Sequence, residues 1–218
     1  MQDFYKTMSP EKLEQYAEKA GLGVKYPSDL KEIKKLIPKK YCRILEVGCG
    51  TGRLGIHLIK YPDYVGIDSY KTYLEYFKKR LNRKNIPFAE EQLQNVSFFN
   101  YNGKDFDVVL FPWTVIGDFT KKQQAKALVK AKNMLLDEGV IILDNPAKGE
   151  IYNNAHGYEP AKFYFDDWKS KFSDLGFAPA KQIFYTTATG RKREITFLRS
   201  DSGLVPLIRR SLKRKKYL

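Results

Sequence analysis

The run Ile44-Leu45-Glu46-Val47-Gly48-Cys49-Gly50-Thr51-Gly52-Arg53 joins a buried-strand tetrapeptide to a turn with glycine at every second position. Glycines at 48, 50 and 52 let the chain turn sharply from strand into helix and let a ligand lie against bare backbone. A helix over 53–60 would then aim its first amides at that ligand and favour an anionic group. Glu46 puts a carboxylate at the end of the strand, which suits a cationic ligand group and repels a pyrophosphate. Outward from this motif, Tyr64-Val65-Gly66-Ile67-Asp68 reads as the next strand. Asp68, at its end, is placed to accept from both hydroxyls of a ribose. The same acid also stands where it would cap a helix over 70–82.

Strand and helix patterns alternate along the chain. Helices are expected at 11–20, with Ser9 as N-cap, Pro10 in the first turn and Gly21 as the stop, and at 28–37, capped by Ser28 and ended by Pro38. Strands are expected at 43–47, 64–68, 96–99, 107–111 and 139–144, with helices at 53–60, 70–82, 120–136 and 166–175. Strands at about 180–187 and 193–199 close as a hairpin around Thr189-Gly190-Arg191. This series predicts an α/β fold: a doubly wound, mostly parallel seven-stranded sheet with a C-terminal antiparallel hairpin and helices on both faces. The expected divisions are an N-terminal helical cap or lid over 1–40, a main domain over 41–203 and a basic tail over 204–218.

The chain has 218 residues, a length that suits one domain. Its apolar runs, such as Val140-Ile141-Ile142-Leu143, are far short of the ~20 residues that span a bilayer. The N-terminus lacks the basic-then-apolar layout of a secretory signal. Cys42 and Cys49 make no disulfide framework and read as reduced thiols in a cytoplasmic setting. Cys/His spacing for a metal is absent. Net charge is +14, unevenly placed: residues 181–218 carry eleven Lys/Arg against Glu194 and Asp201, a net of +9. Such a basic end is compatible with RNA, with an anionic membrane surface, or with plain solubility.

With the acid and glycines at Glu46-x-Gly48-x-Gly50-x-Gly52 and the second-strand acid Asp68, the chain resembles the class I S-adenosylmethionine-dependent methyltransferases. The likeness continues in Phe106-Asp107-Val108-Val109-Leu110, in Leu135-Leu136-x-x-Gly139-Val140-Ile141-Ile142 and in the Gly176-Phe177 step, covering roughly residues 40–200. Dinucleotide dehydrogenases also use a glycine turn, but they need glycine where Arg53 stands and have no use for Glu46. The resemblance implies S-adenosylmethionine as cofactor and S-adenosylhomocysteine as product. Gly48, Cys49, Gly50 and Gly52 would back the methionine and ribose parts. Glu46 would face the ammonium, directly or through water. Asp68 would hold the ribose, with Ser69 beside the adenine. Asn100 is the nearest match for the residue at the adenine amine, with Tyr101 or Asn102 as alternatives. Phe111-Pro112-Trp113 would pass under the methionine portion.

Methyl transfer is an in-line displacement at an already activated carbon, so alignment can supply most of the effect. A base is needed only where the acceptor carries a proton. His156, Tyr158 and Asp118 are the candidates for it. Acceptor-binding candidates are Tyr5, Tyr16, Trp113, Thr114, Asn145 and Asn153. Trp113-Thr114-Val115-Ile116-Gly117-Asp118-Phe119 resembles the stretch found in the family's small-molecule enzymes, so a small or medium-sized acceptor, methylated at nitrogen or oxygen, is expected. Two alternatives are an RNA methyltransferase using the basic 181–218 region and a cofactor-binding module that docks on a membrane or partner through its tail.

Overall fold

The computed structural model describes residues 2–23, 27–37, 42–150 and 162–201. Its strands are β1 (Ile44–Val47), β2 (Tyr64–Asp68), β3 (Leu93–Asn95), β4 (Phe106–Phe111), β5 (Leu135–Pro146), β6 (Lys181–Thr186) and β7 (Lys192–Arg199). The helices are α1 (Gln2–Thr7), α2 (Pro10–Lys19), α3 (Ser28–Leu36), α4 (Gly55–Leu58), α5 (Lys71–Arg83), α6 (Lys121–Asn133) and α7 (Phe165–Trp168). All seven strands share one sheet in the order β3-β2-β1-β4-β5-β7-β6. Pairing is parallel from β3 to β5, and β7 runs antiparallel to both β5 and β6.

The two-residue period of the strands sorts the core into two layers. Leu45, Val47, Val109, Phe111, Ile141 and Leu143 pack with Ala127, Leu128 and Ala131 of α6. Ile44, Val108, Leu110 and Ile142 point the other way, towards Ile33 of α3, Leu58 of α4 and Phe77 of α5. Each of the large side chains contributes roughly 1.5–3 kcal/mol by leaving water, and both faces of the sheet are covered in this way.

Several local features depart from the expected pattern, among them α7, which ends at Trp168 where a helix to 175 is expected. The third strand is Leu93–Asn95, not 96–99. Asn95 pairs with Asp68 at the end of β2, and the apolar 96–99 stretch turns away instead. Phe98 packs edge-on against Phe111, with ring centroids 5.1 Å apart. The helix after the glycine turn shrinks to Gly55–Leu58, too short to act as an anion site, so that expectation falls. β5 runs longer than expected because β7 pairs with it as far as Pro146↔Arg193. Ser28 opens α3 without capping it: its hydroxyl donates to Gly21 O (3.2 Å) and accepts from Ala188 N (3.1 Å), tying the helix to the hairpin.

The N-terminal helices sit on α5 and on the motif turn. Arg80 pairs with Glu14, the Tyr76 hydroxyl donates to Glu14 Oε2 (3.1 Å), and the Tyr73 hydroxyl donates to Tyr5 O (2.8 Å). Ser9 caps α2 as expected, accepting from Lys12 N at 3.3 Å. The tail over 204–218 lies outside the described residues. Among the described residues no helix is long and apolar enough to cross a membrane, and no cluster of His, Cys, Asp and Glu is arranged to hold a metal.

Candidate active site

The carboxyl ends of β1, β2 and β4 open into a groove of about 440 Å³. Such crevices are where open α/β sheets bind ligands. Two acids lie in it, both almost removed from solvent. Glu46 is 1% exposed, and the Tyr64 hydroxyl donates to its Oε2 at 2.6 Å. Burial pushes the Glu46 carboxyl up to about 7, against the opposing pull of Tyr64 and of Arg53. Asp68 is 8% exposed and is pushed up to about 6, again by burial, although backbone amides oppose the shift. Its Oδ2 accepts from Gly50 N (2.9 Å) and its Oδ1 from Tyr70 N (2.8 Å). Asp68 thus fixes the turn ahead of α5 and lines the groove, without capping the helix. Neither acid has an ion-pair partner among the described residues.

The glycines of the turn do separate jobs. Gly48, Gly50 and Gly52 all have positive φ (66°, 53° and 80°). At Gly52 a Cβ would lie 2.0 Å from Phe77 Cδ2, so this residue lets α5 approach the turn and does not line the groove. At Gly50 a Cβ would meet nothing closer than Leu13 Cδ2 at 3.7 Å. The space a side chain would fill there belongs to the groove.

Residues 44–139 match the family described as "Methyltransferase domain". Over that stretch the chain is similar to this family. Its fold is shared with solved structures at low identity. The magnesium protoporphyrin IX methyltransferase from Synechocystis PCC 6803, crystallised with bound S-adenosylmethionine, is 15% identical over 86% of this chain and 79% of its own, with a TM-score of 0.57. The YcgJ protein from Bacillus subtilis is 13% identical over 78% of this chain and 97% of its own, with a TM-score of 0.62. The glycopeptide N-methyltransferase MtfA, complexed with S-adenosylhomocysteine, is 13% identical over 79% of this chain and 86% of its own, with a TM-score of 0.61. No curated protein matches the sequence.

Against this frame the expected site residues fall into three groups. The groove is lined by Glu46, Gly48, Cys49, Gly50, Asp68, Ser69, Trp113, Asp118 and Tyr5. Gly52, Asn100, Tyr101, Phe111, Thr114, Asn145 and Tyr16 do not line it. Tyr101 and Phe111 are core residues, and Asn145 is buried on β5 with neither polar atom of its side chain hydrogen-bonded. Asn153, His156 and Tyr158 lie outside the described residues.

Several lining residues were not expected. Val96, Ser97, Phe98 and Phe99 occupy the place after β3 where Asn100 was expected, because the strand ends at Asn95 and the chain turns into the groove four residues early. Leu13, Tyr70, Tyr73 and Arg53 are also present. The Arg53 guanidinium is forked to Asp29 of α3 (2.8 and 2.6 Å), and its carbon lies 5.7 Å from the Trp113 ring centroid. Burial works against that charge, but Asp29 outweighs it and holds Arg53 above its ordinary pKa. The signal for this pair was in the sequence, as an arginine at the end of a glycine turn with no phosphate to bind.

Proposed function

We propose that this chain transfers the methyl group of S-adenosylmethionine to a small or medium-sized acceptor at nitrogen or oxygen. The observation that carries it is the pair of buried acids, Glu46 and Asp68, on either side of a glycine turn in one groove, with no ion-pair partner among the described residues. A carboxylate has about four acceptor positions. Asp68 uses one on each oxygen for a backbone amide and so retains capacity for a ribose diol. Glu46 carries the charge for an ammonium. The apolar slot of Val96, Phe98 and Tyr70, with Ser69 and Ser97 at its edge, fits a purine. When bound, the sulfonium supplies a methyl group that needs no further activation. The residues of this chain then bind, orient and exclude water. Trp113 and Tyr5 border the acceptor side, and Asp118, which accepts from the Tyr5 hydroxyl at 3.5 Å, is placed to take a proton from an acceptor that carries one. The N-terminal helices α1 and α2 serve as a lid, since Tyr5 and Leu13 reach the groove. A protoporphyrin and a glycopeptide are acceptors named for proteins of this fold, in keeping with a non-polymeric substrate. Buried thiols at Cys42 and Cys49 suit the reducing cytoplasm.

The test is calorimetric titration with S-adenosylhomocysteine, followed by incubation of the protein with methyl-labelled cofactor and a fractionated cell extract. Binding and label in the metabolite fraction are expected. Label in RNA that falls away steeply with salt would replace this acceptor class with a nucleic acid bound through the basic region. Absence of binding would overturn the assignment of the groove.

A further inference from the structure

A hydrogen-bonded polar cluster formed by the buried Asp144, Arg193 and Thr114 with the half-buried Tyr185 lies behind the groove, and none of these four lines it. Directly after β4, two successive non-glycine residues take left-handed backbone: Trp113 with φ 42° and Thr114 with φ 69°. A β-branched residue is a true outlier there, and strain of this kind persists only where the surroundings enforce it. The enforcing groups are on β5. Trp113 N donates to Asp144 Oδ2 (3.0 Å) and Thr114 N donates to Asp144 O (2.8 Å).

Asp144 is itself fully buried and held from the C-terminal hairpin. Arg193 of β7 donates from Nη2 to Oδ2 (2.8 Å) and from Nε to Oδ1 (3.1 Å), and the Tyr185 hydroxyl of β6 donates to Oδ1 (2.6 Å). Arg193 Nη2 also reaches Thr114 Oγ1 at 3.4 Å. The Trp113 ring is held separately, beside the Arg53 guanidinium that Asp29 fixes. One indole at the edge of the groove is therefore gripped by its backbone from the hairpin and by its ring from the pair that joins α3 to the motif turn. A turn needed only to connect two elements would be relaxed by glycine at either position.

We propose that Arg193 and Arg53 are positioning residues for methyl transfer, together holding the Trp113 indole as a fixed wall of the groove. The hairpin is thereby part of the active site, although among the described residues none beyond Gln123 lines it. The inference rests on the reading of the groove as the cofactor and transfer site.

The chain contains two tryptophans, Trp113 and Trp168. Labelled with 5-fluorotryptophan, it gives two ¹⁹F resonances, which a Trp168→Phe variant assigns. Titration with S-adenosylhomocysteine is expected to shift the Trp113 resonance. Arg193→Met and Arg53→Met should each broaden or displace that resonance and weaken binding several-fold, with Lys at either position restoring only part of the effect. Should Arg193→Met fail to fold, Tyr185→Phe removes one bond to Asp144 and should act in the same direction more weakly. Thr114→Gly separates positioning from plain stability: relief of the strained turn should raise the melting temperature by about 2–4 °C, while the Trp113 resonance broadens. Failure of the unaltered chain to bind S-adenosylhomocysteine would sink the reading of the groove. Normal binding, with Trp113 indifferent to Arg193, Arg53 and Thr114, would sink the clamp.

Discussion

Two sets of buried carboxylates stand close together in this molecule and are treated oppositely. Asp29 and Asp144 each meet a forked arginine, Arg53 and Arg193, in pairs whose side chains are at most 8% exposed. Glu46 and Asp68 are as deeply buried but meet only a tyrosine hydroxyl or backbone amides, and burial pushes both upward, to about 7 and about 6. The matched acids shape backbone and fasten elements together. The unmatched acids hold an uncompensated cost of desolvation, which a ligand bearing an ammonium and hydroxyl donors would offset. The contrast separates architecture from binding site without reference to any bound molecule.

The strongest challenge to this contrast is Asp144→Ala. It strands Arg193 in the interior and should cost about 3–5 kcal/mol of stability, read by thermal or denaturant unfolding. A loss below about 1 kcal/mol would mean that the pair behaves like an exposed one. Asp68→Ala should weaken S-adenosylhomocysteine binding by ~1–3 kcal/mol, by calorimetry, while costing less stability than Asp144→Ala. Unchanged affinity would remove Asp68 from the ribose.

Proton linkage sharpens the same point. The Glu46 pKa is raised in the folded chain, so its protonated form favours the fold. That contribution is complete below the usual carboxylate range and is lost as pH rises through about 7. Ligand binding runs the other way, because the ammonium requires the charged carboxylate. Affinity should therefore rise about tenfold between roughly pH 6 and 8, while the ligand-free protein becomes less stable. Glu46→Gln should flatten both trends, and a pH-independent affinity in the unaltered chain would separate Glu46 from the ligand. The smallest expected effect is that of ending the chain at residue 203: cofactor affinity should be unchanged, and a folded truncation that no longer binds would place the tail in the site.

Much of the fold was legible because its signals are local. The strand-turn motif at 44–53, the acid ending β2 and the Thr189-Gly190-Arg191 hairpin each depend on a few neighbouring residues. The misplaced third strand shows where local reading stops. Val96-Ser97-Phe98-Phe99 has a strand's apolar character, but the ladder beside β2 is exhausted at Asn95, and a cluster of Phe98, Phe111 and Phe119 draws the chain away. The groove lining after β3 moved with it, to residues 96–99, leaving Asn100 out. The Thr120 cap of α6, reciprocated by Gln123, is a further local signal, a Thr-x-x-Gln box. Arg193 was not readable at all. Nothing near it in the sequence announces a partner on β5, and its role depends on a pairing that only the assembled sheet creates.

That pairing sets an order of events during synthesis. Asp144 leaves the ribosome 49 residues ahead of the guanidinium that neutralises it, an interval of about 2–10 s at ordinary elongation rates. Until then every parallel strand is available, yet closing the sheet around a bare aspartate would be unfavourable. The nascent domain should therefore stay open at that edge, and commit to its final form only when the last two strands arrive.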